Sequence, residues 1–454
     1  MQTGGSPSGN PESTSGIRVC VIGAGIAGLA AAVFLEHKLF SVTLIESSPR
    51  LGGRAYSFFD KNLNGFIDNG QHILASWYNS TFEFLKIIGT YDELKFQKRL
   101  EVKFVDLEGN RYHFKSPNLP PPLHLIWGLW IYKALKWKDK YGIAKLVNSV
   151  VFDRFKESEL KRMNVSELFE LTKQSNRVIE YFWEPFIIAV FNARPHETSA
   201  WLFMQILKIG FLRKNSSNLV LPRSNLKGLY VDASVRFLID NEVCLLKGSR
   251  IEKLNFENDK LISIELENNN KLNFDYYISA VPFFEFKNLM GEEIYERDFG
   301  FVDDLISSPI VNVHHVYRSN AGENIFKDDF VGILGGVSQW IFKVNDSHIC
   351  IVISSAKAII EMDKEELIEL TKIELIKCIP GFRNAEFIYS KVVKEKRATF
   401  LPDIGSVNAR PKNKTKYKNF FVAGDWTDTG FPATLESAVR SAQNCVNEIC
   451  RLEA

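Results

Sequence analysis

At 454 residues the chain exceeds one ordinary hydrophobic core, so two or three domains are expected. Its 56 basic and 54 acidic residues nearly cancel, which gives no case for nucleic acid as the main partner. The six cysteines lie scattered without a C-x-x-C pair, which indicates neither a metal site nor a disulfide framework and fits a reducing, cytoplasmic compartment.

Residues 1–16 are rich in Gly, Ser and Pro and have no apolar core, so they read as a disordered tail rather than a signal peptide or anchor. No uninterrupted apolar run reaches the length of a transmembrane helix. Residues 17–22 form a short apolar run that meets Gly23, Gly25 and Gly28 in G-x-G-x-x-G spacing. An Ala- and Leu-rich helical segment follows, then a second apolar run, 42–45, closed by Glu46. This is a strand-helix-strand unit that binds a dinucleotide. Gly23 allows the tight turn, Gly25 lets the backbone approach a pyrophosphate, and Gly28 lets the helix pack on the sheet. The phosphates sit at the helix N-terminus, beside Ile26 and Ala27, where N–H groups and the dipole favour negative charge. Glu46, followed by Ser47, stands 18 positions past Gly28 (46 minus 28), the offset of an acid that hydrogen-bonds a ribose hydroxyl.

Gly52, Gly53 and Arg54 make a second glycine loop with a cation able to reach a phosphate. A simple nicotinamide dehydrogenase has no need of it, whereas the longer flavin dinucleotide does. Asp68, Asn69, Gly70, Gln71 and His72 follow as a polar turn, in which His72 is either a structural histidine or a neighbour of the redox ring. A helix is expected at 77–88 and a hairpin at 101–114.

Residues 119–140 are different in kind: proline-opened, apolar, with Trp127, Trp130 and Trp137 running into Lys133, Lys136, Lys138 and Lys140. This reads either as a helix lying on a membrane surface or as a buried helix. Helices are predicted at 165–171, 177–191 and 198–212, the last capped by Thr198, and their Phe and Trp content suits both a helical core and the wall of an apolar tunnel. From 219 the pattern turns to strands, with 243–246, 250–256, 261–267 and 272–280 expected as an antiparallel meander. Its end, at Ala280, leads back towards the cofactor, and Ile251 is a further contact candidate. Strands at 309–317, 333–344 and 349–354, crossed by a helix at 364–378, suggest a second sheet. Gly332, Gly335 and Gly336 do not make the dinucleotide fingerprint, so no second nucleotide domain of the kind that would take NADPH beside a flavin is expected. Finally, an apolar strand at 419–423 leads to Gly424 and Asp425, then to a helix from about 435 to 449 whose N-terminus would favour negative charge on a reduced flavin.

The glycine loop with Glu46, the Leu51-Gly52-Gly53-Arg54 loop and Gly424-Asp425 resemble the flavin-dependent amine oxidase and carotenoid desaturase superfamily. More narrowly, Asp68 to His72, Trp183-Glu184-Pro185, Glu395 to Phe400 and Gly424 to Gly430 followed by Pro432-Ala433-Thr434 resemble hydroxysqualene dehydroxylases, the squalene-associated FAD-dependent desaturases. The resemblance implies an α/β fold: a Rossmann-like FAD-binding domain of glutathione-reductase type with an inserted α+β substrate domain. The FAD domain is then discontinuous, 17–99, 218–283 and 396–454, and the substrate domain comprises 100–217 and 284–395, with 119–140 as the membrane-facing candidate. It further implies non-covalent FAD, with no cysteine in 401–411 to form a flavin bond and no evident tyrosine pair for an amine cage.

The implied reaction is reduction of hydroxysqualene to squalene, hydride replacing a hydroxyl that leaves as water, in squalene, hopanoid or related terpenoid synthesis. Hydroxide is a poor leaving group and calls for a general acid, for which His72 and Asp428 are the candidates; Asp428 reads equally as a turn residue. The expected partners are a long-chain terpenoid and a membrane surface, giving peripheral association, with squalene- or phytoene-synthase-like enzymes as candidate partners. A phytoene-type desaturase and a non-catalytic flavin-binding scaffold are the alternatives.

Overall fold

The computed structural model describes residues 16–63, 65–212, 217–319 and 324–454. Residues 1–15, most of the predicted tail, lie outside the described residues.

The apolar run before the glycine loop becomes strand Arg18–Ile22, the middle of a five-stranded parallel sheet. The order across it is Cys244–Lys247, Ser41–Glu46, Arg18–Ile22, Tyr276–Ser279 and Phe420–Val422. Such a strand is buried on both faces. Val19 and Val21 point into the core shared with helices Ile26–His37 and Leu435–Leu452, while Cys20 and Ile22 point into a second core on the opposite face.

The predicted meander changes here. Its outer segments, 243–246 and 272–280, supply two strands of the parallel sheet, and only Ile251–Glu257, Lys260–Leu266 and Lys271–Leu272 form the antiparallel layer. Alternation along a strand reports burial but not the partner, which is why they were grouped. Helices Phe283–Met290 and Glu292–Phe299, expected in the substrate unit, pack in the second core against Tyr277, Phe420 and Trp426.

The second sheet has seven strands in the order Ala385–Phe400, Ser307–Ser319, His348–Ile353, Trp340–Asn345, Phe330–Leu334, Glu101–Asp106 and Arg111–Lys115. The predicted hairpin is its edge. Helix Lys364–Cys378 covers one face through Leu367, Leu375 and Cys378. The other face carries Phe330, Phe342, Cys350 and Val352, with Ile73, Leu219, Leu221, Ile310 and Trp340 packed against them.

The helical insertion contains Leu123–Ile131, Lys140–Val151 and Val165–Leu171, then a run from Asn176 to Phe191 that passes through a π-turn at Ile179–Trp183, and Ala200–Leu212. Thr198 does not cap that last helix; its hydroxyl donates to the Arg194 carbonyl at 2.9 Å. A helical segment at 227–240, unread in the sequence, packs against helix Ile26–His37.

Residues 119–140 have one buried and one exposed apolar face. Helix Leu123–Ile131 buries Leu125, Gly128 and Leu129 inward. Outward it presents Leu123, Ile126, Trp127, Trp130 and Ile131, with Trp130 61% and the nearby Trp137 81% exposed.

Candidate functional site

Helix Ile26–His37 starts at Gly25 with no side chain capping it and no acid in its first turn. Its first-turn N–H donors and the positive end of its dipole therefore face outward, ready for an anion. The glycines around it do different jobs. A Cβ on Gly28 would lie 1.7 Å from the Gly23 carbonyl oxygen, so Gly28 is required by packing alone. A Cβ on Gly25 would meet nothing within 4 Å, so what demands glycine there is not the protein's own interior. The second loop is drawn against the first: Gly52 N–H donates to the Ala24 carbonyl at 2.8 Å, and Gly53 lies over Gly25. Glu46 accepts the Ala24 N–H at 2.7 Å and the Ser48 N–H at 2.8 Å, which fixes its carboxylate beside the glycine turn. Open backbone at Gly25, uncapped donors and a positioned acid fit a dinucleotide's pyrophosphate and ribose. Ile26 and Ala27 are buried in the helix's first turn, and exposed Ser47 reaches Glu46 at 3.3 Å. Ser249 N–H donates to the Glu46 carbonyl, which brings the start of the Ile251 strand to the same corner. Ala280 closes the turn from the other side, its N–H donating to the Ile22 carbonyl at 2.7 Å.

Arg54 was expected to reach a phosphate. In the structure its guanidinium donates to Asp425 Oδ1 at 2.6 Å and to the Ala398 carbonyl at 2.8 Å. Burial works against its charge, but Asp425 and Glu395 outweigh that and raise its pKa. Gly424 adopts φ +142°, and its N–H donates to Ser441 Oγ at 2.7 Å; Ser437 Oγ donates to the Asp425 carbonyl at 3.2 Å. Thr434 Oγ1 caps helix Leu435–Leu452 by accepting the Ser437 N–H, with Pro432 buried and Ala433 half-buried just before it. That helix N-terminus already holds an acid. Glu436, fully buried, accepts N–H bonds from Ser80 and Thr81 at the start of helix Asn79–Ile87, which offsets part of the positive end expected to face a flavin.

His72 lies in the polar turn with Nδ1 2.8 Å from the Gly70 carbonyl. Burial pushes its pKa down, against the pull of Gly70 and Asp68. The next residue inward was not anticipated. Asn312, only 1% exposed on strand Ser307–Ser319, donates from Nδ2 to the Asn69 carbonyl at 2.8 Å, and its Oδ1 has no hydrogen-bond partner among the described residues. A Cβ at Gly70 would sit 3.5 Å from the Asn312 amide and 3.7 Å from the His72 ring, so the three meet at one point, with partly buried Gln71 between Gly70 and His72. Cross-strand pairing sets Asn312 beside Val352, and Val352 beside Trp340, on the apolar face. A polar point thus lies beside apolar side chains, with the buried pair His314 and His348 further along the same face. Its signal in the sequence was an Asn within the apolar stretch 309–313.

Asp428 has a different setting. It is exposed, its N–H donates to the Pro411 carbonyl at 2.8 Å, and its charge favours that of Arg410. Other motif residues have structural roles. Asn69 Nδ2 bridges the Arg54 carbonyl and Glu395, Trp183 donates to Gln174, and Glu184 pairs with Arg194 at 2.7 Å.

The sequence profile of the flavin containing amine oxidoreductase family matches residues 26–450. A hydroxysqualene dehydroxylase of Zymomonas mobilis is 28% identical over 94% of this chain and 97% of its own length. A 15-cis-phytoene desaturase of Narcissus pseudonarcissus is 25% identical over 97% of this chain and 80% of its own length. Among solved structures, an oxidoreductase from Methanosarcina mazei superposes with a TM-score of 0.74 at 17% identity, over 95% of this chain and all of that one.

Proposed function

The chain belongs to the flavin containing amine oxidoreductase family, and from that premise we propose that it reduces hydroxysqualene to squalene. It is an FAD-dependent oxidoreductase. The observation that carries the reading is the meeting of His72, Gly70 and Asn312 beside Val352, Trp340 and Ile310, a polar point that suits a hydroxyl on a hydrocarbon. The similarity to a hydroxysqualene dehydroxylase over nearly the full length of both chains supports it, and the phytoene desaturase is similar at lower identity.

Residues that would hold FAD are Gly23, Gly25 and Gly28 with the helix N-terminus at the pyrophosphate, Glu46 at a ribose, and the Arg54–Asp425 pair with the Gly424 turn where the chain returns. Bound FAD in its reduced form supplies the hydride that replaces the hydroxyl. The protein's part is to place and protonate that hydroxyl. Asn312 Oδ1 accepts the hydroxyl hydrogen and so orients the C–O bond. His72, whose imidazolium is made more acidic by burial, donates the proton with which the oxygen leaves as water. The apolar wall of Trp340, Val352 and Ile310 excludes water from the developing cation. Asp428, exposed in its turn, fits a structural role better than an acid's.

The substrate reaches this site from a membrane surface, against which Leu123, Ile126, Trp127, Trp130, Ile131 and Trp137 lie. Each buried methylene is worth about 0.8 kcal/mol, so carrying a long terpene through water would cost on the order of tens of kcal/mol. Among the described residues no helix is long and apolar enough to cross a membrane, so the contact is peripheral. On this reading the protein works beside the prenyl-coupling enzymes that make its substrate.

Incubating the photoreduced, FAD-loaded protein separately with hydroxysqualene and phytoene, and following products by mass, tests the assignment. Squalene from the first and no change in the second is expected. Desaturation of phytoene by the oxidised protein, without squalene formation, would replace it.

A further inference from the structure

Just beyond the outward apolar face of helix Leu123–Ile131 the chain carries four lysines within eight positions, Lys133, Lys136, Lys138 and Lys140 (140 minus 133, plus one). Over the whole chain 56 basic residues stand against 54 acidic ones, so this excess is local. The one acid among residues 119–145 is Asp139, and it is engaged inside the fold: its carboxylate accepts the Lys136 N–H at 2.9 Å and the Ser175 hydroxyl at 2.8 Å.

Lys140 has a structural role. Its ammonium donates to the Trp130 carbonyl in the last turn of the helix and stands 5.2 Å from the centre of the Trp130 ring. The other three have no such role. Lys133, Lys136 and Lys138 are exposed, and among the described residues no carboxylate pairs with their ammonium groups. Aromatic side chains alternate with them: Trp137 lies between Lys136 and Lys138, and Tyr141 follows Lys140, both exposed.

Two kinds of occupant have chemistry for such a face, an acidic protein and a bilayer. Protein interfaces are enriched in Trp and Tyr but depleted in Lys. At a bilayer the two go together, because indole and phenol rings sit at headgroup depth while ammonium groups reach the phosphates. Unpaired lysines interleaved with exposed Trp therefore match a bilayer, and their charge decides which bilayer.

We propose that this surface selects bilayers rich in anionic phospholipid, with Trp127, Trp130 and Trp137 at the headgroup level and Lys133, Lys136 and Lys138 on lipid phosphates that no choline neutralises. The inference rests on the membrane contact proposed above and names the lipid it prefers. Each lysine at an anionic surface is worth about fivefold in partitioning, so three together give on the order of a hundredfold at low salt. Salt screens that attraction and leaves the apolar contact in place.

The test uses the full-length, FAD-loaded protein and flotation with two kinds of vesicle, phosphatidylcholine alone and phosphatidylcholine with about one-third phosphatidylglycerol. At low salt the partition coefficient should be at least tenfold higher on the anionic vesicles, and at about 0.5 M salt the two values should converge. Lys133→Gln/Lys136→Gln/Lys138→Gln should lose most of the anionic advantage and keep its binding to phosphatidylcholine. Its flavin spectrum and melting temperature should match the wild type, because all three side chains are exposed and unpaired. Equal partitioning of the wild type on both vesicles overturns the proposal and leaves the membrane contact standing, whereas binding to neither overturns the membrane contact itself. An anionic preference undiminished in the triple variant overturns the assignment to these lysines. Binding to soluble poly-glutamate as tight as to anionic vesicles makes the face a site for an acidic protein and overturns it too.

Discussion

Arg54 Nη2 and Asp425 Oδ1 lie 2.6 Å apart across 371 positions of sequence, joining the second glycine loop to the turn after the last strand of the parallel sheet. Arg54 is half-buried and Asp425 nearly fully buried, so removing either leaves a poorly solvated charge. Arg54→Met or Asp425→Asn should each cost roughly 2 kcal/mol, less than a fully buried pair because Arg54 keeps some solvent. Flavin content and thermal unfolding measure this. A double variant no worse than the worse single one is expected, and additive losses would show that the two side chains act separately.

Gly25 and Gly28 should fail in different ways. In Gly28→Ala the new methyl collides with the Gly23 carbonyl, so the apoprotein itself should be destabilised by several kcal/mol. In Gly25→Ala the methyl meets no protein atom and the backbone is extended, at φ −68° and ψ 179°. Apoprotein stability should therefore stay the same or rise by about 0.4–1 kcal/mol, while FAD affinity falls at least tenfold. Unfolding of apoprotein and FAD titration, run side by side, check the contrast.

His72→Gln should slow single-turnover flavin oxidation by hydroxysqualene by roughly 10²–10⁴-fold, the usual contribution of a general acid. Because burial lowers the His72 pKa, the protonated fraction grows only as pH falls below the ordinary histidine value. The wild-type rate should therefore rise on acidification from pH 8 to pH 6, and the variant should lose that dependence. A pH-independent wild-type rate of the chemical step would remove His72 from the role. Asp428→Asn is expected to leave the rate within a fewfold.

Replacing Trp127 and Trp130 together by Glu puts two charges on the outward face of helix Leu123–Ile131. Burying an aromatic side chain is worth roughly 1.5–3 kcal/mol, so vesicle partitioning should drop at least tenfold. Both residues point away from the core, so the melting temperature should hold. Flotation with liposomes gives the readout, and unaltered binding would move the membrane contact elsewhere.

Three histidines on the second sheet set an acid limit. Burial pushes His314 and His315 down to about 3 and His348 to about 4. His314 and His348 lie 3.1 Å apart, and His315 is held between Ser390 and Thr371. Each folded value is below the unfolded one, so the neutral form stabilises the fold fully above about pH 6.5 and this contribution is lost as pH falls towards 4. At pH 5 the loss is on the order of 2 kcal/mol for each histidine. Unfolding midpoints in urea between pH 7.5 and 5 should fall steeply, and His348→Phe should flatten the slope.

The glycine loop, Glu46 and the helix behind them were legible because their chemistry is local: spacing fixes the turn, and the turn fixes the anion site. The last helix and the helix over the second sheet were legible from periodicity. Asn312 was not, because its importance arises from register with Val352 and from the approach of Gly70, neither of which a linear pattern carries. The same limit misassigned strands Cys244–Lys247 and Tyr276–Ser279, whose neighbours come from distant parts of the chain. For helix Leu123–Ile131 composition allowed two environments, and the direction its tryptophans face became readable only with the helix set on its neighbours.

The parallel sheet carries a consequence for how the protein is made. Its edge strand, Phe420–Val422, pairs with Tyr276–Ser279 and leaves the ribosome 141 positions later (420 minus 279). Until then the edge of Tyr276–Ser279 is unpaired, and Arg54 has no Asp425 to meet. Synthesis at about 5–20 residues per second leaves this half-built sheet exposed for several seconds, long enough to attract chaperones or a second nascent chain. Truncation shortly before Phe420 should therefore yield an aggregating product rather than a weaker enzyme, and FAD can be captured only once Phe420 to Asp425 has emerged.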